Sequence, residues 1–320
     1  MSNSSYKNEL SGKATSSTST KHTPNGYKSG YVALIGAPNA GKSTLLNYLL
    51  GQKISITSRK PQTTRHRILG IKSQTNSQIV YVDTPGMHLG GKKALNKYLN
   101  RTADSSMLGV DVIVWLKEDI KWDDIDDAIL KKLKDAQTPV ILAINKIDKV
   151  VKKDKLLPFI QTISKRYDFK SIIPISALTG KQLDEFESLV LDMLPEGEPL
   201  FPEEQITDRS ERFMTAEIIR EKLTRRLGQE LPHSLSISIE QFNVEEKITR
   251  IYATVWVERK GQKNIVIGPK GAGLKDVGMK ARIDLEAMLD SKVYLNLWVK
   301  VKKGWSENER EIANLGYVDS

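Results

Sequence analysis

The eight residues Gly36-Ala37-Pro38-Asn39-Ala40-Gly41-Lys42-Ser43 fit the pattern G-x-x-x-x-G-K-[ST], and Thr44 follows them. Glycine at both ends lets a loop close around phosphate oxygens without a Cβ in the way. Backbone N–H groups of this stretch, Pro38 itself having none, could converge on a β-phosphate at a helix N-terminus, where the dipole also favours anions. Lys42 would then reach the β- and γ-phosphates, and the Ser43 hydroxyl would bind Mg²⁺. A single motif of this kind arises by chance often enough to be only a hypothesis. Three more follow it in order: Asp83-Thr84-Pro85-Gly86, Asn145-Lys146-Ile147-Asp148 and Ser176-Ala177-Leu178.

Asp83 ends an apolar strand, so its carboxylate is expected at the carboxyl edge of a sheet, holding a Mg²⁺-bound water, while the Gly86 N–H senses a γ-phosphate. Thr64, in the polar loop between Ser43 and Asp83, is the expected second hydroxyl ligand, with Thr63 the weaker choice. Two loops, 55–67 (with Gln62, Thr63, Thr64, Arg65 and His66) and 86–97, would order and disorder with the γ-phosphate. Asp148 can accept from guanine N1–H and the 2-amino group together, donors that adenine lacks. Lys146 can lie across the base, and the Ala177 N–H can donate to O6. Taken in this order, the four segments predict a GTP site. Met87 stands where many small GTPases carry a water-orienting glutamine, so intrinsic hydrolysis is expected to be slow. The Asn39 amide oxygen could hold a monovalent cation, K⁺, against the phosphates; the alternative is that it only braces the loop. No side chain stands out as a general base.

The elements that must position these residues alternate between strand and helix. Strands are expected over 31–35, 68–73, 78–82, 110–116, 140–144 and 171–175, with helices starting near Lys42, Ala94, Asp124, Lys152 and Gln182. That is an α/β domain, a mostly parallel sheet with helices on both faces. Three prolines and several acids over 195–206 read as a linker. A second, α+β unit follows: a helix over 210–227, strands over 234–243, 250–259 and 264–267, a helix over 272–289 and a strand over 292–302. The expected division is a disordered polar tail over 1–29, a nucleotide-binding domain over 30–196, a linker over 197–208 and a second domain over 209–320.

Composition agrees and excludes alternatives. A chain of 320 residues is long for one domain. No apolar run approaches the roughly 20 residues of a membrane span, and the Ser/Thr-rich start has no apolar signal segment. With no cysteine there is no disulfide, thiolate metal site or cysteine nucleophile, which fits a cytosolic protein. The four dispersed histidines build neither a zinc site nor a triad. Asp123, Asp124, Asp126 and Asp127 read as a helix start, where acids favour the dipole, rather than a metal cluster. The net charge of +10 is uneven: residues 259–303 hold eleven Lys or Arg against four Asp or Glu. Such an excess is a footprint for a phosphate-bearing polymer or an anionic membrane.

Within that basic stretch, Gly268-Pro269-Lys270-Gly271 is a G-x-x-G loop, read as fed by a strand and followed by a helix, with Ile267, Lys275, Lys280 and Arg282 around it. This is the arrangement by which a KH module clamps single-stranded backbone against an apolar groove. Trp256 and Trp298 are expected as core or groove wall rather than base-stacking platforms.

From about residue 30 to 320 the chain resembles the Era family, ribosome-assembly GTPases of bacteria and organelles. The resemblance rests on Lys60-Pro61-Gln62-Thr63-Thr64-Arg65-His66-Arg67, on Asp83 to Met87 followed by His88, and on the G-x-x-G segment. It continues through Leu297-Trp298-Val299-Lys300-Val301-Lys302, Gly304-Trp305 and Leu315-Gly316-Tyr317-Val318-Asp319. It implies a Ras-like GTPase domain joined to a C-terminal type II KH domain. It further implies binding to the 3′ end of 16S rRNA and the 30S subunit during small-subunit maturation, with the GTP form favouring RNA. Peripheral association with the inner membrane is also implied, and a monomer is expected. The polar tail has no counterpart in the family pattern. Two other readings stand beside this one: an RNA-binding assembly factor whose turnover is incidental, and a membrane-surface signalling GTPase.

Overall fold

The computed structural model describes residues 26–58, 60, 63–87, 94–149, 153–227 and 235–315. Gln62, His88, most of the polar tail and the ending after Leu315 therefore lie outside the described residues.

The first domain is a six-stranded sheet in the order β2-β3-β1-β4-β5-β6. Its strands are β1 (Lys28–Ile35), β2 (Ile68–Gln74), β3 (Ser77–Asp83), β4 (Val112–Lys117), β5 (Val140–Ile144) and β6 (Ser171–Pro174). Only β2 pairs antiparallel, through a two-residue turn to β3; every other pairing is parallel. β1 begins at Lys28, before the expected boundary, because Lys28 and Ser29 already pair with Ser77 and Gln78.

Alternation along these strands builds two cores. Val32, Leu34, Val114 and Leu116 face one side, against α1 (Lys42–Leu49) and α5 (Leu183–Met193). Ala33, Ile35, Ile113 and Trp115 face the other, with Ala103 of α2 (Ala94–Ser105), Ile129 and Leu133 of α3 (Asp124–Lys134) and Ile163 of α4 (Leu156–Ile163). Strands buried on both faces in this way read as continuous apolar runs. The Asp-rich segment is a helix start as expected. Asp123 accepts from the Ile125 and Asp126 amides, and the buried Asp126 carboxylate takes Lys117 Nζ at 2.5 Å. No group of residues able to hold a metal of the His/Cys/Asp/Glu kind occurs among the described residues.

The second domain is a three-stranded sheet of β7 (Leu235–Val244), β8 (Ile248–Val257) and β9 (Lys292–Val301), antiparallel between β7 and β8 and parallel between β8 and β9. One face carries Leu235, Ile251, Ala253, Val255, Val293 and Val299 against α6 (Glu211–Arg226), α7 (Lys260–Ile267) and α8 (Ala272–Leu289). The helix α7 corrects the expected strand over 264–267. Asn264-Ile265-Val266-Ile267 has strand propensity, but Val266 docks on the domain core as one turn of a helix. The Gln262 side chain accepts from Glu258 and Arg259 N–H at its start, and Gly268 ends it.

The linker is not a loose tether. Gln78, buried, accepts from Leu200 and Phe201 N–H at 2.7 and 2.8 Å, and the Ile71 N–H donates to Ile206 at 2.9 Å. Beyond β9 the chain returns to the first domain, where Trp305 and, within α9 (Glu309–Asn314), Ile312 pack on Leu95, Tyr98 and Leu99 of α2. No helix among the described residues is long and apolar enough to cross a membrane.

Candidate functional site

The carboxyl ends of the parallel strands line one edge of the first sheet, where such sheets take their ligands. There a cavity of about 860 Å³ is lined by Pro38, Asn39, Gly41, Lys42, Ser43, Thr44, Thr64, Gly86, Asn145, Lys146, Asp148, Ala177 and Leu178. The sequence-predicted segments thus converge on one site, with Ala37, Ala40, Thr84, Pro85 and Ser176 in the loops behind it.

Gly41 shows why the phosphate loop needs its glycine. It sits at φ +103, and a Cβ there would lie 2.2 Å from Asn145 Nδ2. Asn145 itself is buried and ties three loops together. Its Nδ2 donates to Ala40 O at 2.8 Å, while its Oδ1 accepts from the Ala177 N–H at 2.9 Å and the Lys146 N–H at 2.8 Å. The Ala177 N–H, expected to meet the base, is therefore engaged by Asn145. Asp148, the carboxylate expected to meet guanine, accepts from Ser176 Oγ at 2.6 Å. Lys146 is held by Glu118, 2.5 Å away.

The three residues expected to hold a metal come together. Asp83 Oδ2 accepts from Ser43 at 2.8 Å and Thr64 at 3.5 Å, and the Ser43 and Thr64 hydroxyls lie 2.8 Å apart. Ser55, a residue no motif marked, adds a third hydroxyl at 2.7 Å. Asp83 is fully buried, yet its Oδ1 has no hydrogen-bond partner. Burial pushes this carboxyl above its ordinary range, against the Ser55 hydroxyl, Lys42 and Ser43. A buried carboxylate oxygen beside two hydroxyls is a donor set suited to a hard divalent cation. Burial likewise pushes the Lys42 ammonium down to about 8, against the pull of Asp83. Lys42 Nζ donates to Gly36 and Ala37 carbonyls at 3.1 and 3.0 Å, already lying along the phosphate loop.

Thr63 is separated from its neighbour: its hydroxyl donates to Lys60 O, away from Asp83. Arg65 and His66 turn toward the second domain. Arg65 is fully buried and donates to Leu235 O at 2.8 Å. His66 packs edge-on to Phe213 with ring centroids 5.1 Å apart, and burial pushes its imidazole down to about 4. From α6, Arg220 donates to Thr63 O at 2.5 Å and Arg225 donates to Thr57 O at 3.1 Å. Buried Glu221 takes the Thr57 N–H at 3.0 Å and Lys53 at 2.5 Å. Arg225 also lines the nucleotide cavity. Sequence reasoning missed this contact. The only local sign was a helix carrying charges at three- and four-residue spacing, which names no partner. Met87 is 5% exposed and packs in the first domain's core, so the residue after Gly86 points away from the cavity.

In the second domain Gly268, Lys270 and Gly271 all have positive φ, and the loop opens α8. A Cβ on Gly268 would meet Gly273 N at 2.9 Å, whereas Gly271 has open space around it. Ile267 and Leu274, which flank the loop in the chain, are partly buried against the domain core, as are Leu295 and Leu297 of β9. Lys275 and Arg282, seven residues apart on α8, share a helix face. Lys280 lies about 140° round the helix from Lys275 and pairs with Asp276 at 3.0 Å, so it does not join them. Trp256 and Trp298 are another correction: both lie on the outer face of the sheet, in neither core nor groove, and Trp298 is 48% exposed.

Comparison with known proteins agrees with this geometry. Residues 31–146 match the family described as 50S ribosome-binding GTPase, and residues 230–306 match the KH domain. GTPase Era of Pseudomonas aeruginosa (strain LESB58) is 51% identical over 296 residues, 92% of this chain and 97% of that one. GTPase Era of Actinobacillus pleuropneumoniae serotype 5b (strain L20) is 53% identical over 291 residues, covering 91% and 96%. A crystal structure of Era with MgGDPNP and nucleotides 1506–1542 of 16S ribosomal RNA superposes with a TM-score of 0.88 at 41% identity, covering 91% of this chain and 99% of that one. An Aquifex aeolicus Era variant bound to GDP and AlF₄⁻ gives the same TM-score and identity over 91% and 100%. With its P-loop nucleotide site, its hydrolytic GTPase domain and its C-terminal KH domain, the chain belongs to the Era family of GTPases.

Proposed function

We propose that this GTPase is a nucleotide-controlled switch that binds the 3′ end of 16S rRNA on the 30S subunit and acts in small-subunit biogenesis. The observation that carries the reading is where Thr57 and residues 63–66 sit. Thr64 faces Asp83, while Thr57, Thr63 and Arg65 on either side are hydrogen-bonded to α6 and β7 of the KH domain. A change in the loop's hold on Thr64 is therefore felt by the RNA-binding domain. The solved relative that carries both MgGDPNP and 16S rRNA supports the pairing of these ligands in one molecule.

Ser43 and Thr64 would hold Mg²⁺ through their hydroxyls and Asp83 through a water. When bound, the ion neutralises charge on the β- and γ-phosphate oxygens. Lys42 would add a second positive charge, and N–H groups of the loop up to Ser43 would hold the phosphates, the Ala40 N–H excepted since it donates to Ala37 O. Asp148 fixes guanine. Among the described residues no cavity side chain is placed as a general base for water, and the groups that are placed there act by positioning and charge stabilisation. Intrinsic hydrolysis is accordingly expected to be slow unless a partner or an ion completes the site.

The test is equilibrium binding of a short RNA from the 3′ end of 16S rRNA to the GTP-analogue, GDP and nucleotide-free forms at one salt concentration, with a scrambled RNA as control. Tight, sequence-dependent binding with the GTP analogue alone supports the switch. Equal affinity in all three forms removes the coupling. Gly271→Asp puts a carboxylate into the open space of the loop and should abolish this RNA affinity while sparing GTP.

A further inference from the structure

The outer face of the KH sheet carries a feature that neither the nucleotide site nor the G-x-x-G groove uses. β8 presents Arg250, Tyr252 and Trp256 outward, and β9 presents Lys292, Tyr294, Trp298 and Lys300, since the alternate residues of both strands fill the core. Tyr252 and Trp298 stack with ring planes 15° apart and centroids at 6.0 Å, and Tyr294 lies 5.8 Å from Tyr252. Arg250 sits 5.7 Å over Tyr294, and Lys300 5.6 Å over Trp256. Trp298 and Tyr294 remain 48% and 40% exposed.

Cross-strand aromatic pairs stabilise sheets, and that accounts for half-buried Tyr252. It does not account for an indole left half in water on the edge strand. Charge is the second observation. Arg250 pairs with Glu245 and Lys302 with Glu311, but Lys292 and Lys300 have no acidic partner among the described residues. The face therefore combines flat rings with uncompensated cations, the two things a single-stranded nucleic acid needs for its bases and its phosphates. Position is the third. The inward side chains of the same strand, Leu295 and Leu297, border α8, where a Cβ on Gly278 would stand 3.7 Å from Leu297. Trp298 is the next residue along β9 after Leu297, on the opposite face of the sheet.

We propose that this face is a second single-stranded RNA contact, on which bases stack against Trp298 and Tyr294 while Lys300 and Lys292 take phosphates. Tyr294 and Trp298 are about 13 Å apart along the strand, room for the two or three bases that a sheet platform of aromatics accepts. The proposal rests on the RNA-binding reading above but needs neither the groove nor its sequence preference, because stacking tolerates any base.

The full-length, GDP-bound protein is titrated with a fluorescent 12-nucleotide oligouridylate and, separately, with the 16S 3′-end RNA. Wild type is compared with Gly271→Asp, Trp298→Ala, Trp298→Phe and Lys300→Glu, with GTP-analogue binding as the check on folding. Oligouridylate binding should survive Gly271→Asp, fall about tenfold or more with Trp298→Ala, and be retained with Trp298→Phe. Lys300→Glu should flatten the dependence of log affinity on log salt by about 0.7 or more. Oligouridylate affinity unmoved by Trp298→Ala overturns the proposal and leaves the face to a protein partner. Loss of it with Gly271→Asp alone also overturns it, and leaves the groove reading intact. A wild type that binds neither RNA defeats both.

Discussion

Asn145 should be worth far more to nucleotide affinity than any contact it could make with the base. Replacing it by Ala removes the donor to Ala40 O and the acceptor for Lys146 and Ala177 N–H, all at 2.8–2.9 Å around a side chain 1% exposed. Each such bond is worth about 0.5–1.5 kcal/mol net, so the three together come to about 3 kcal/mol. Without them the phosphate loop, the base loop and the Ser176–Ala177 turn are no longer held in one arrangement, and bound nucleotide must order them. We expect GDP and a GTP analogue to bind about 100-fold more weakly, measured by titration of a fluorescent nucleotide at fixed Mg²⁺. Gly41→Ala provides the internal check. It suffers both from φ +103 and from a Cβ 2.2 Å from Asn145 Nδ2, and only the second fault disappears when residue 145 is already Ala. The double variant should therefore lose less affinity than the two single losses combined, by at least about 1 kcal/mol. An Asn145→Ala protein within threefold of wild type, or a strictly additive pair, would refute this account of the site.

Met87→Gln should not speed hydrolysis, although it supplies the side chain that many relatives of the small GTPases use. Residue 87 packs in the core, and a buried amide there should cost about 1–3 kcal/mol of stability by urea unfolding; a faster single-turnover rate would show that the loop can turn outward. Glu221→Gln weakens the acceptor for Thr57 N–H and removes the charge facing Lys53 and Arg225. The ratio of RNA affinities between the GTP-analogue and GDP forms should fall at least threefold, and an unchanged ratio would mean coupling runs elsewhere. If Asn39 holds a monovalent cation against the phosphates, hydrolysis runs faster in K⁺ than in Na⁺; equal rates in the two salts remove that role.

The nucleotide site was legible in the sequence because its parts are local. Each motif directly follows a strand, and a parallel sheet brings the carboxyl ends of its strands to one edge whatever the loops contain. Ser43, Asp83, Asn145 and Asp148 could thus be expected at one edge before any distance was known, whereas Thr64 lies in the loop before β2; the alternation of apolar strands with helices already implied a sheet covered on both faces. What only the tertiary structure decided depends on partners distant in the chain. Val266 made 260–267 a helix by docking on a core built from five other elements, against the strand preference of Asn264-Ile265-Val266-Ile267. Ser55 reached Asp83, and Glu221 and Arg225 reached Thr57, through pairings across 28 to 168 residues that no spacing rule encodes. Lys280 left the basic face of α8 for Asp276, and Trp298 turned to the outer side of its sheet. Sequence determines which groups are available and which face of an element they share. Which of those faces meets another element is settled by long-range burial, and that is where the link between the two domains was hidden.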